Sequence, residues 1–433
     1  MRVYSIPFRS SVKATAHPDD DATHRWRILA LLASAELLGM SLWLLGSAIG
    51  PMLAGPWSLT TAQVGWLTTV TQLGFVAGTA TSAVLNLADS MPARRLFAVA
   101  AVCGALVNIP LAFTESYGMA LLSRFVTGAC LAGVYPPAMK MASTWFRARR
   151  GVAVGTIVGA LTVGKAMPYL AQSWPGATAQ GVTLGATAAA LVAAAIVWFT
   201  YRDGPYPFPP RPFSWARAGE VVRERRWRLA TGGYLGHMAE LYAFWTWIPA
   251  FLIASDAARA VRTGIAAQPR VASMLAFGVI AVGGAGCIWG GLVADRIGRE
   301  RLVTIAMALS GACALAIGLA WGHSWWILAP LALVWGFFVI ADSAQFSVLV
   351  TESVPPHAVG TALMLQVSLG FLLTTITIQL VPPFVALLGW QWVFPMLAIG
   401  PVLGIASIRR LRGVPADVSP AGTSPATDRS RRG

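Results

Sequence analysis

The chain has 433 residues, of which 56% are hydrophobic and 11% charged. Soluble globular chains carry about 25% charged residues, so that class is excluded. The net charge of +15 would fit a nucleic-acid binder, but the basic residues fall mostly on one side of the apolar runs, in tails, linker and loops, which is a signal of membrane topology.

Twelve apolar runs follow one another along the chain. The first six are Ile28–Leu53, Ala62–Leu87, Leu96–Phe113, Tyr117–Met141, Val152–Ala171 and Val182–Phe199. The second six are Leu229–Ile253, Val271–Ala294, Leu302–Ala320, Trp325–Leu349, Val359–Val381 and Phe384–Leu403. Each is near the ~20 residues that a helix needs to cross a bilayer. Period-two alternation is absent, and backbone groups in lipid must bond within their own helix or barrel, so the spans are expected to be helices. The expected fold is an all-α membrane protein of twelve transmembrane helices.

The longest internal polar stretch is Pro-rich and then basic, from Tyr201 to Arg228. It divides the chain into a tail at 1–25, a six-helix bundle at 26–200, a linker at 201–228, a second bundle at 229–410 and a tail at 411–433. The first 25 residues hold no apolar signal-peptide core, and the last stretch is disordered by composition. With the N-terminus inside, 27 of the 32 Lys and Arg fall in the tails, the linker and the inner loops. Three, Arg259, Arg262 and Arg270, fall in the outer loops. This bias places both termini in the cytoplasm. The four cysteines lie inside apolar runs without metal-ligand spacing.

The halves resemble each other. The first span holds "AELLGMSLW" (Ala35–Trp43) and the seventh "AELYAFWTW" (Ala239–Trp247), an offset of 204. The loops "LADSMPARR" and "VADRIGRERL" follow the second and eighth spans, their aspartates offset by 206. Such internal repeats mark transporters whose site lies at the midplane between the repeats.

"GLVADRIGRERL" (Gly291–Leu302) closely resembles the hairpin signature of the major facilitator superfamily. "RFVTGACLAG" (Arg124–Gly133) and "WFRARRGVAVG" (Trp145–Gly155) are similar to its fourth-helix and following-loop motifs. The likeness runs from about residue 25 to 410 and implies two pseudo-symmetric six-helix bundles that rock about a central site. It also implies gating roles for Asp89, Arg94, Arg95, Gly291, Asp295, Arg296, Gly298 and Arg299. In the first-half copy Leu85 stands where the signature has glycine. Gly298 provides the tight turn. The arginines also serve as anchors on the positive side.

Ionisable groups at mid-bilayer cost about 3 kcal/mol each, so each is a functional candidate. They are Glu36, Arg124, Lys165, Glu240 with His237, and Asp342. In the resembled fold, spans 1, 4, 7 and 10 line the cavity, and four of the five charges sit one on each. Arg124 and Lys165 lie at similar depth, Arg124 roughly 10 Å from the outer face and Lys165 roughly 20 Å from the inner. Together they would attract an anion. Glu36, Trp43 and Trp247 complete the expected substrate contacts; each also has a packing role as its alternative. His237 and Glu240 share a helix face, and with Asp342 they are the expected proton carriers. The small-xxx-small pairs Gly74/Gly78, Gly155/Gly159 and Gly286/Gly290 are expected packing and sliding surfaces.

The expected function is secondary active transport, a proton-coupled carrier of a small or organic anion. Segments such as Tyr234–Phe251 resemble bacterial nitrate/nitrite and cyanate porter-like members, although the glycine-crowded nitrate signature is missing. A proton-driven drug or metabolite exporter is the alternative; Ala160 stands where that group's helix 5 motif has proline. No nucleotide loop, metal cluster or nucleophile constellation is present, so no enzyme and no cofactor are expected. The expected partners are a small molecule, protons and the lipid bilayer, in a monomer of the bacterial inner membrane.

Overall fold

The computed structural model describes residues 18–146, 150–206 and 214–415. The tails expected at 1–25 and 411–433 lie largely outside these residues. Every regular element among them is a helix. The first bundle holds α1 (Pro18–Met40, resuming as Leu45–Ala54), α2 (Thr61–Val84), α3 (Ala93–Asn108), α4 (Tyr117–Leu131, resuming as Tyr135–Ser143), α5 (Arg150–Gln172) and α6 (Ala179–Thr200). The second holds α7 (Arg225–Thr263), α8 (Pro269–Ile297), α9 (Arg299–Ala316), α10 (Trp325–Ala341, resuming as Ser343–Thr351), α11 (Val359–Leu388) and α12 (Ile399–Arg412). Among the described residues, eleven spans are long and apolar enough to cross a membrane. The twelfth, α2, is 24 residues long but holds six threonines and two glutamines. At about 1.5 Å per residue it is still about 36 Å long. An even number of spans puts residues 18 and 415 at one end of the bundle, here the terminal end.

Three helices are interrupted near mid-height. In α1 the break is Ser41–Leu44, where the Ser41 hydroxyl bonds back to the Leu38 carbonyl at 2.7 Å and competes with the helix ladder. In α4 the restart at Tyr135 is followed by Pro136 and Pro137, which suit a first turn and cannot extend a preceding one. In α10 the break falls at Asp342. Interrupted helices leave backbone groups free at mid-membrane, where they must find partners or line a site.

Several expected ends move, and the twelfth span begins after Gly389 and not at Phe384, because Phe384–Leu388 continue the eleventh helix. The seventh span continues ten residues beyond Ile253, to Thr263. Its added turns are polar but internally paired, with Arg259 donating to Asp256 at 2.7 Å. The eleventh span does not stop before Pro382 but runs to Leu388, and Gly389 turns the chain with φ +72°. Pro382 lacks the amide that would bond the Ile378 carbonyl. The indole Nε1 of Trp247 donates to that carbonyl instead, at 2.9 Å. The linker contains a helix, Trp215–Arg223, pinned to the turn that precedes α11 by Arg217 donating to the His357 carbonyl at 2.8 Å.

The halves meet along a seam. Gly159 of α5 faces Gly284 of α8 so closely that a Cβ on Gly159 would lie 3.1 Å from the Gly284 carbonyl oxygen. The other small-residue pairs pack within a half: Gly74 and Gly78 on α4, Gly286 and Gly290 on α10. At the end away from the termini the seam is closed by Gln379 of α11, which donates to Thr69 of α2 at 2.8 Å. The ring of Trp247 packs on Gly65 there.

Candidate functional site

Lys165 sits on α5 at mid-height, 2% exposed. A bare ammonium at that depth needs partners. Its Nζ lies 3.9 Å from the centre of the Trp43 ring, 4.7 Å from Tyr242 and 5.2 Å from Trp245. It also donates to the Tyr242 hydroxyl at 2.5 Å. The faces of aromatic rings attract cations, most strongly where water is excluded. Phe75 and Phe371 extend the cluster, with ring centres 4.6 Å apart. The box is shared across the seam: Trp43, Phe75 and Lys165 come from the first half, and Tyr242, Trp245 and Phe371 from the second.

Glu36 is fully buried on α1, and neither carboxylate oxygen has a hydrogen-bond partner. Lys165 is the charge that acts on it, yet the two form no ion pair. The indole N–H groups of Trp43 and Trp245 are buried and unpartnered as well. Unmet polar atoms in such number are uncommon in a packed interior.

Arg124 does a different job beside the same residues. Its guanidinium donates to the carbonyls of Leu42 and Trp43 at 2.7 and 2.8 Å, the groups that the α1 break sets free. It also reaches Asn108 of α3 at 3.3 Å, and Asn108 in turn donates to Thr187 of α6 at 3.0 Å. Four helices are thus tied together behind Trp43. The two cations expected as a pair meet through that tryptophan, one at its carbonyl and one at its ring.

The second half holds the other charges in two groups. His237 Nδ1 lies 2.9 Å from Asp342 Oδ1, both side chains 1% exposed. Asp342 marks the α10 break, so the pair bridges α7 and α10. Tyr234 stacks on His237 with ring centres 6.2 Å apart. Glu240 accepts from Ser310 of α9 at 2.7 Å and from Trp335 Nε1 of α10 at 2.8 Å. Its repeat mate Glu36 has no such donors. Trp247 lies toward the far end, away from the Lys165 box, plugging the α11 carbonyl.

Of the hairpin residues, Gly298 takes φ +89°, a left-handed value that glycine adopts without a Cβ clash. Arg299 pairs with Glu352 at the end of α10, at 3.1 Å. Arg94 donates to the Tyr201 carbonyl at 3.4 Å. Both contacts stay within one half. Asp295, Arg296 and Arg95 are exposed, and Gly291 faces Gly151 across the seam, where a Cβ on Gly291 would lie 3.9 Å from the Gly151 carbonyl oxygen. The side chain of Asp89 lies outside the described residues. No group of three or more His, Cys, Asp or Glu that could hold a metal occurs among the described residues.

Sequence reading missed Tyr242, Phe75 and Phe371. Tyr242 stands two residues after Glu240, and its hydroxyl on a cavity helix was the available signal. Ser310 and Trp335 gave none, since serine and tryptophan are ordinary in such helices.

Residues 31–376 match the family model of the Major Facilitator Superfamily. A crystal structure of a mutant of the nucleoside transporter NupG is similar, with TM-score 0.68 and 14% identity over 89% of this chain and 99% of that one. So is a bacterial homolog of the human lysosomal transporter Spinster, in an inward-facing and occupied conformation. Its TM-score is 0.67 at 15% identity, covering 90% of this chain and 97% of that one. At these identities the likeness is one of fold. No curated protein sequence matches the chain.

Proposed function

This chain belongs to the major facilitator superfamily, a multi-pass membrane transporter of small molecules, and we propose that it is a proton-coupled carrier of a small organic anion. The supporting observation is the Lys165 ammonium, buried at the seam and held by rings from both halves. An anion arriving there meets a cation that protein contacts only partly neutralise. The His237–Asp342 pair, with Glu240 close by, is the proton carrier in this reading. Asp295, Arg296 and Arg299, with Asp89, Arg94 and Arg95, form and release the gate at the terminal end as the bundles 26–200 and 229–410 rock. That end faces the cytoplasm of a bacterial inner membrane, and the carrier works as a monomer. Kinship with nitrate/nitrite and cyanate porter-like members belongs to the same proposal.

A second reading, export of organic cations, is favoured by one observation. Glu36 is buried without a donor beside a box of aromatic rings, and that is cation-binding chemistry.

Charge movement in proteoliposomes on a solid-supported membrane tests the first reading. Jumps of carboxylates and small inorganic anions at two pH values should give a pH-dependent current. Lys165→Gln should abolish it. A response confined to lipophilic cations would transfer the function to export.

A further inference from the structure

The unmet polar atoms around Lys165 are of two kinds. Two indole N–H groups, on Trp43 and Trp245, lack acceptors, and the Glu36 carboxylate lacks donors. A simple carboxylate ligand would satisfy the indoles but leave Glu36 bare, with a second anion beside it. A simple ammonium ligand would satisfy Glu36 but compete with Lys165 for the same box. Like charges brought together in a site that excludes water are strongly disfavoured.

We propose that the substrate is a zwitterion carrying both an ammonium and a carboxylate. Its ammonium takes the place of the Lys165 ammonium among Trp43, Tyr242 and Trp245, next to Glu36. Its carboxylate pairs with the displaced Lys165 and accepts from the indole N–H groups. The exchange keeps one cation against the rings throughout, so the cation–π attraction is retained while Glu36 and Lys165 each gain an opposite charge. Lys165 thus acts as a tethered stand-in for the substrate's own ammonium. The inference rests on the reading that the Lys165 box is the substrate site, and it adds the second charge.

The test uses the purified full-length protein and two skeletons, each in three forms. The first set is phenylalanine, phenylpropanoate and phenethylamine; the second is δ-aminovalerate, valerate and pentylamine. Binding is read by calorimetry and by tryptophan fluorescence, since Trp43 and Trp245 wall the box. The expected result is that at least one zwitterion binds about tenfold or more tightly than both of its singly charged analogues, the weight of one charge-assisted contact. Glu36→Gln should then erase its advantage over the plain carboxylate, and Lys165→Gln its advantage over the plain amine. Both variants are checked for native thermal unfolding, and the ligand comparison on the unaltered chain decides even if one fails. Carboxylates that bind as well as their zwitterions overturn the inference and leave the anion-carrier reading standing. Amines that bind as well as their zwitterions, undiminished by Lys165→Gln, overturn both. Silence toward all six ligands at millimolar concentration overturns the inference alone, because the charge-movement experiment judges the carrier reading separately.

Discussion

Arg124 donates to the main-chain carbonyl of Trp43 at 2.8 Å, while the ring of that tryptophan lies 3.9 Å from the ammonium of Lys165. One residue therefore links a buried tie of four helices to the candidate site. The link decides what Arg124 is for: its fork satisfies two carbonyls that a broken helix cannot satisfy itself.

Arg124→Leu should lower thermal stability by the weight of losing a charged donor from two buried carbonyls, about 2–3 kcal/mol. Arg124→Lys should recover part of it, since a lysine offers a point charge in place of a planar fork. Thermal unfolding in detergent reads both. A stability unchanged by the leucine would show that water or another donor caps the α1 break.

Asp342→Asn should uncouple transport from the proton gradient. Uptake driven by a pH step should fall, while exchange of labelled for unlabelled substrate across proteoliposomes should continue. Equal loss of both would assign the His237–Asp342 pair to packing. Glu240→Gln is the companion variant: its amide oxygen can still accept from Trp335, so a change in pH dependence without unfolding would place Glu240 in proton transfer.

The Gln379–Thr69 bond closes the seam at the end away from the termini. Gln379→Ala removes one hydrogen bond, a difference of about 1 kcal/mol and so about fivefold in the ratio of closed to open forms. Spin labels at Glu115 and Ser324, exposed on either side of the seam at that end, should show a larger share of long distances. An unchanged distribution would mean that apolar contacts such as Trp247 on Gly65 hold the closure alone.

Gly159→Val places branched carbon where a single Cβ would already lie 3.1 Å from the Gly284 carbonyl oxygen. Overpacking of this kind costs about 1–3 kcal/mol. The strain falls on the seam, so turnover should drop more than substrate affinity does. A variant with reduced affinity and normal turnover would show that the α5–α8 contact does not limit the motion.

Much of the architecture was legible in the sequence because lipid imposes a simple rule on length and polarity. Span positions, the repeat at Glu36 and Glu240, and the Gly298 turn all follow from it. The partners of those residues do not. Glu36 and Glu240 occupy matching repeat positions, yet Glu240 has Ser310 and Trp335 as donors and Glu36 has none. That difference is set by helices far away in sequence. The α1 break was hidden because its residues, Ser41 to Leu44, read as continuous apolar helix, and Arg124, which stabilises it, lies about 80 positions on. The run through Pro382 was hidden for the same reason: proline ends a helix unless the freed carbonyl finds another donor, and Trp247 is that donor.

The box around Lys165 draws walls from both halves, so parting the halves at mid-height dismantles it. An unloaded carrier that opened its centre would strip the lysine of the Tyr242 hydroxyl and of two ring faces. That charge would keep only the Trp43 ring and the neighbouring Glu36, so in the proposed reading idle cycling meets a barrier that a suitable cargo lowers. In the proposed proton-coupled reading, the lysine would act as a safety catch against slippage, keeping the gradient from draining through empty turns.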